Sequence, residues 1–144
     1  MSEINYFFET DFSFSNEEEI KLWINDTAEK EKMAVGCLNF IFCDDEYLHK
    51  INVEYLNHDT YTDIITFDNS TKDEISSDIF ISVARVKENA SLYKNHFETE
   101  LHRVIIHGVL HLLGYKDKSD TEQELMTSKE DFYLSLRKFH VDKQ

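Results

Sequence analysis

The chain contains no proline, only three glycines and only two cysteines in 144 residues. Without proline-rich or Gly/Ser-rich tracts there is no material for a linker, and no internal repeat is visible. Residues 1–144 are therefore expected to form a single domain, which at this length buries roughly two-thirds of the surface its unfolded form exposes. Cys37 and Cys43 fall on one predicted strand, too far apart along an extended chain to bridge each other. Two buried thiols in a reducing compartment are expected. No apolar run approaches the roughly 18 residues of a membrane span. The N-terminal stretch has neither a basic lead nor a long apolar core, so a secretory signal is not expected. A cytoplasmic location without membrane contact follows, and the Asn-x-Ser/Thr sequences at Asn25, Asn69 and Asn89 are then chance. Basic residues are also scarce: 15 against 29 acidic ones, for a net charge of −14. Polyanions bind proteins mainly by exchanging counterions for lysine and arginine. The balance counts against a general nucleic-acid binder, but not against a local basic patch or a metal that brings its own positive charge.

What is present reads as an α+β domain. Ile4–Glu9 is a first strand. Asn16 offers an N-cap before Glu17, Glu18 and Glu19, with Ile20, Trp23, Ile24 and Ala28 as the apolar face of a helix. Val35–Phe42 is a second strand, and Asp44 and Asp45 open a helix with the stripe Leu48, Ile51, Tyr55. After the loop Asn57–Asp59 come two short strands, Asp63–Phe67 and Asp78–Ser82, joined as a hairpin. Val83–Lys94 and Glu98–Leu113 are helices, the latter apolar nearly all round and so central. Ser119 with Glu122 forms a capping-box pattern before a last helix carrying Leu125, Phe132, Leu136 and Phe139. The expected order is βαβαββααα, a small mixed four-stranded sheet with helices packed on it.

Two of the three glycines sit within His107-Gly108-Val109-Leu110-His111-Leu112-Leu113-Gly114-Tyr115-Lys116-Asp117. His107 and His111 are one helical turn apart on one face, so both imidazoles can reach a single ion. An isolated pair at this spacing is usually two surface or core histidines. Here the face is otherwise apolar, which would leave two neutral rings buried without partners. Gly114 can take the left-handed conformation that ends a helix, allowing Asp117 to swing back as a third ligand. Gly108 would leave room over the ion. The spacing His-x₃-His-x₂-Gly-x₂-Asp is that of metzincin proteases with aspartate in third place. Asp120 and His102 are rival third ligands, the first in the capping pattern and the second well off the His107 face. Zinc peptidases carry glutamate directly after the first histidine as general base. Gly108 stands there, so a protease is disfavoured.

The stretch from His107 to Tyr115 resembles the signature HGxLHLxGYDH of the YbeY family of rRNA maturation factors. Leu56–Phe67 resembles that family's RxxDxxTDVLSF, and Ser77–Ser82 its GDIxIS strand, so the likeness spans most of the chain. It implies a metal-dependent, single-strand-specific endoribonuclease acting in small-subunit rRNA 3′-end maturation and ribosome quality control. It also implies one zinc held by three ligands, here His107, His111 and Asp117. The sequence departs from the pattern at Asp117, where the family usually has histidine, and at Leu56, where it carries an arginine thought to serve RNA. Carboxylate is an accepted zinc ligand and shifts preference towards harder ions. Arg85, Lys87, Lys94 and Arg103 are read as solvated helix faces.

The expected activity is metal-dependent RNA hydrolysis, with a metal-bound water as nucleophile. The base is left open between that water's own hydroxide, Asp63 and Asp78. RNA-contacting residues are not assigned. The alternatives are a ribosome-associated binding factor with a structural zinc, docking on ribosomal proteins or a GTPase, and a metallopeptidase-like hydrolase. A structural site would show a fourth protein ligand, whereas a catalytic one keeps a position open.

Overall fold

The computed structural model describes residues 2–13 and 15–139. It contains β1 (Glu3–Phe8), α1 (Glu17–Lys30), β2 (Ala34–Cys43), α2 (Asp45–Leu56), β3 (Ile64–Asp68), β4 (Glu74–Ser82), α3 (Val83–Leu92), α4 (Phe97–Leu112) and α5 (Asp120–Ser135). The order and the α+β class match the sequence expectation. The sheet runs β1-β2-β4-β3. β1, β2 and β4 are parallel, and β3 returns antiparallel along β4 as an edge strand.

Alternation along the strands sorts the two faces. Leu38, Phe40 and Phe42 of β2, with Ile75, Ile79 and Ile81 of β4, are buried on one face against α1 and α4. α1 contributes Ile20, Trp23, Ile24 and Ala28 at helical spacing. α2 covers part of the opposite face, where Leu48 packs with Cys43, Ile65, Phe67 and Phe80. β4 begins at Glu74 rather than Asp78, because Glu74 and Ile75 pair with Ala34 and Val35 before a bulge in β2, and Ser77 with Leu38 after it. Gly36 permits that bulge: a Cβ there would fall 2.4 Å from Ser76 Oγ. Cys43 is buried as expected, but Cys37 is only half-buried.

α4 is the central helix and packs against α1, α3, α5, β3 and β4. Leu101, Val104, Ile105, Ile106, Val109, Leu110 and Leu112 are all buried. Gly108 lets it approach β3, since a Cβ at that position would lie 2.8 Å from Ile64 Cδ1. α5 corrects the sequence reading. Its buried residues are Met126, Glu130, Tyr133 and Leu134, whereas Leu125 and Phe132 are exposed. Tyr55 is likewise exposed on α2, and Asn52 takes the inward place. Asn16 precedes α1 in the left-handed region at φ 66, without a side-chain cap bond. No helix among the described residues is long and apolar enough to cross a membrane.

Candidate metal centre

The last turns of α4 present His107 and His111 on the side facing β3, with ring centroids 4.7 Å apart. The chain then reverses at Gly114, whose φ is +107. Gly114 N–H donates to the His111 carbonyl at 3.0 Å and Tyr115 N–H to the Leu110 carbonyl at 3.0 Å. This pair of bonds is the Schellman closure of a helix C-terminus. Tyr115 is then pinned, its hydroxyl donating to Glu31 Oε1 at 2.7 Å while Tyr133 donates to Glu31 Oε2. The segment beyond delivers Asp117 to the two histidines.

Asp117 Oδ2 lies 3.4 Å from His107 Nε2 and 3.3 Å from His111 Nε2. One donor atom from each of the three residues falls within 4.8 Å of the others. Donors bonded at about 2.0–2.1 Å to a tetrahedral ion sit about 3.4 Å apart, so the spacing fits such an ion. Two imidazoles and a carboxylate are a donor set that zinc accepts. No other histidine, cysteine, aspartate or glutamate joins this cluster among the described residues. Asp120 is at the exposed start of α5, beside the capping box formed by Ser119 and Glu122. His102 is buried elsewhere, its Nδ1 accepting from Arg137 Nη1 at 2.8 Å.

A residue the sequence reading missed stands behind the centre. Glu130 of α5, nearly buried, places Oε2 2.6 Å from His107 Nδ1 and takes a bond from Arg103 Nη1 to Oε1 at 2.8 Å. Arg103 also donates to Asp131 at 2.6 Å. An acceptor at Nδ1 fixes the tautomer that leaves Nε2 free for a metal. Burial pulls the His107 pKa down, but the Glu130 bond and the charges of Glu130, Asp117 and Asp63 outweigh it, and the net direction is up.

The three donors open onto a cleft of about 440 Å³ between β3 and α4, lined by Thr62, Asp63, Thr66, Asp68 and Gly108 beside the site residues. Of the two carboxylates considered for the base, Asp63 lines this cleft. Asp78 does not: it lies on the opposite face of the sheet, accepting from Asn39 Nδ2 at 3.0 Å. Burial raises the Asp63 pKa, opposed by the charge of His107. Gly108 lines the cleft beside the donors, and a Cβ there would also fall 2.8 Å from Ile64 Cδ1. The cations read as solvated divide. Lys87 and Lys94 are exposed, whereas Arg85 pairs with Asp45 at 2.7 Å and Arg103 with Glu130.

A small α+β domain whose central helix and following turn present a His-His-Asp donor set at an open cleft defines a class of metal-site proteins. The family model described as Endoribonuclease YbeY matches residues 5–138, and the chain belongs to that family. It is 53% identical over 140 residues to an Endoribonuclease YbeY of Christiangramia forsetii, covering 97% of this chain and 96% of that one. With the Flavobacterium johnsoniae protein of the same description it is 55% identical over 139 residues, covering 96% and 99%. A solution structure of TM1509 from Thermotoga maritima superposes with a TM-score of 0.67 at 27% identity, over 92% of this chain and 87% of that one.

Proposed function

We propose that residues 1–144 form one hydrolase domain, a zinc-dependent endoribonuclease that cuts single-stranded RNA during small-subunit rRNA 3′-end maturation and ribosome quality control, in the cytoplasm. The observation that carries the reading is the convergence of His107, His111 and Asp117 at 3.3–3.4 Å on the floor of an open cleft. Family membership supplies the substrate class, since the relatives are described as endoribonucleases.

In this reading His107 and His111 offer Nε2 and Asp117 offers Oδ2 to the ion. When bound, the ion acts as a Lewis acid at the phosphate and makes water a stronger acid. Glu130 holds His107 in the required tautomer. In this reading Asp63, which lines the same cleft and has a raised pKa, takes the proton from the attacking water. The scissile P–O bond breaks as the water oxygen bonds to phosphorus, and the leaving oxygen takes up the proton that Asp63 received. The absence of a fourth protein donor among the described residues favours this reading over a structural zinc. Ribosomal proteins or a ribosome-associated GTPase are proposed partners, because a net charge of −14 complements basic surfaces.

The test is cleavage of a single-stranded RNA by purified protein, before and after chelator treatment and after zinc is restored. Loss on chelation with recovery on zinc is expected. Equal cleavage by metal-free protein would remove the mechanism.

A further inference from the structure

The outer edge of β3 is open along the metal cleft. Among the described residues β3 pairs only with β4. Ser82 N–H donates to the Asp63 carbonyl at 2.9 Å, and Asn69 N–H to the Ser76 carbonyl at 2.8 Å, at the two ends of that ladder. Hydrogen-bonded pairs recur at every second residue of an antiparallel ladder. Asp63, Ile65, Phe67 and Asn69 therefore turn their main-chain groups to β4. The main-chain groups of Ile64, Thr66 and Asp68 point out of the sheet. Among the described residues these groups make one hydrogen bond, a long one of 3.4 Å from Thr62 Oγ1 to the Ile64 carbonyl.

The side chains of the same three residues line the cleft with His107, His111 and Asp117. β3 carries neither lysine nor proline, the residues that commonly protect an exposed edge. The edge thus offers a donor and an acceptor together at every second residue, a repeat of about 6.8 Å. An extended peptide presents the complementary pattern, as in strand addition to a sheet edge. An RNA backbone offers phosphate acceptors and one 2′-hydroxyl per nucleotide, without the paired amide donor and carbonyl acceptor of this repeat. Charge sharpens the choice. Apart from the donor triad, the described residues of the cleft lining include Asp63 and Asp68 and no lysine or arginine.

We propose that the free edge of β3 accepts an extended, lysine- or arginine-bearing peptide segment of a partner protein as a fifth strand across the metal cleft. The proposal uses the main chain of β3 and the charge of Asp63 and Asp68, neither of which belongs to the donor triad.

The test is a two-dimensional amide NMR titration of the metal-loaded protein with a capped heptapeptide alternating lysine and valine. The amides of Ile64, Thr66 and Asp68 are expected to shift. Thr66→Pro removes an amide hydrogen that the β3–β4 ladder does not use, a position at which edge strands tolerate proline. It is expected to weaken peptide binding about tenfold or more, while Thr66→Val binds as the parent does. Should Thr66→Pro fail to fold, the parent protein with a peptide N-methylated at alternate residues probes the same main-chain bonds: binding is expected to be lost. Shifts confined to other surfaces, undiminished binding by the N-methylated peptide, or oligouridylate moving these amides when the heptapeptide does not would each overturn the proposal.

Discussion

His107 Nδ1 and Glu130 Oε2 lie 2.6 Å apart, so the first histidine of the metal motif on α4 is oriented by a carboxylate from α5, which follows it in the chain. Glu130 is itself held by Arg103, one turn before His107 on α4. The centre is thus braced by two helices rather than by the His-x₃-His helix alone. Outer-shell partners of this kind commonly change metal affinity about 10–100-fold when replaced. Glu130→Gln should weaken zinc affinity by that order in a competitive chelator titration, with cleavage recovering at saturating zinc.

Asp63→Asn separates proton transfer from metal binding. The variant should retain its zinc, because Asp63 is not among the converging donors. RNA cleavage should fall about 100-fold or more, the usual scale for losing a positioned general base. Unchanged turnover with full metal content would mean the proton goes elsewhere.

Gly114 has φ +107 and no heavy atom within 4 Å of where a Cβ would stand. The penalty of substitution is therefore conformational rather than steric. Gly114→Ala should cost about 1–3 kcal/mol of stability in urea unfolding. It should also loosen metal binding, because the strain falls on the turn that delivers Asp117.

His102 predicts acid sensitivity. Burial, with a smaller contribution from the Arg137 charge, pushes its pKa down from 6.5 to about 3. The unfolded chain takes up that proton near pH 6.5 while the folded site resists it, so the unfolded state binds more protons between the two values. The stabilisation is complete above pH 6.5 and is lost as pH falls towards 3, with a slope of up to about 1.4 kcal/mol per pH unit from this group. His102→Gln keeps an acceptor for Arg137 but does not titrate. Its unfolding free energy should fall less steeply than the parent's between pH 6 and 4, measured by denaturant titration at about half-unit steps.

Much of this was legible in the chain itself. Period-two and helical apolar patterns place the nine elements of the described residues, because each buries one local face. The convergence of the candidate metal residues is legible for the same reason: His107, His111 and the Gly114 turn are one continuous piece of backbone. α5 failed by one position. Taking Leu125 and Phe132 as its inward stripe, instead of Met126, Tyr133 and Leu134, also hid Glu130, which sits on that true inward face. A carboxylate within an apolar stripe was the available signal. The choice between Asp63 and Asp78 depends on which sheet face meets α4, a tertiary fact that strand alternation does not contain. Arg85 and Arg103 find their partners on α2 and α5, far along the chain, so local reading leaves them solvated.

The most direct measurement is elemental analysis of the purified protein and its His111→Ala variant, paired with RNA cleavage by both. The expected result is about one zinc per parent chain, none in the variant, and loss of cleavage with the metal. Full cleavage by a metal-free variant would contradict it.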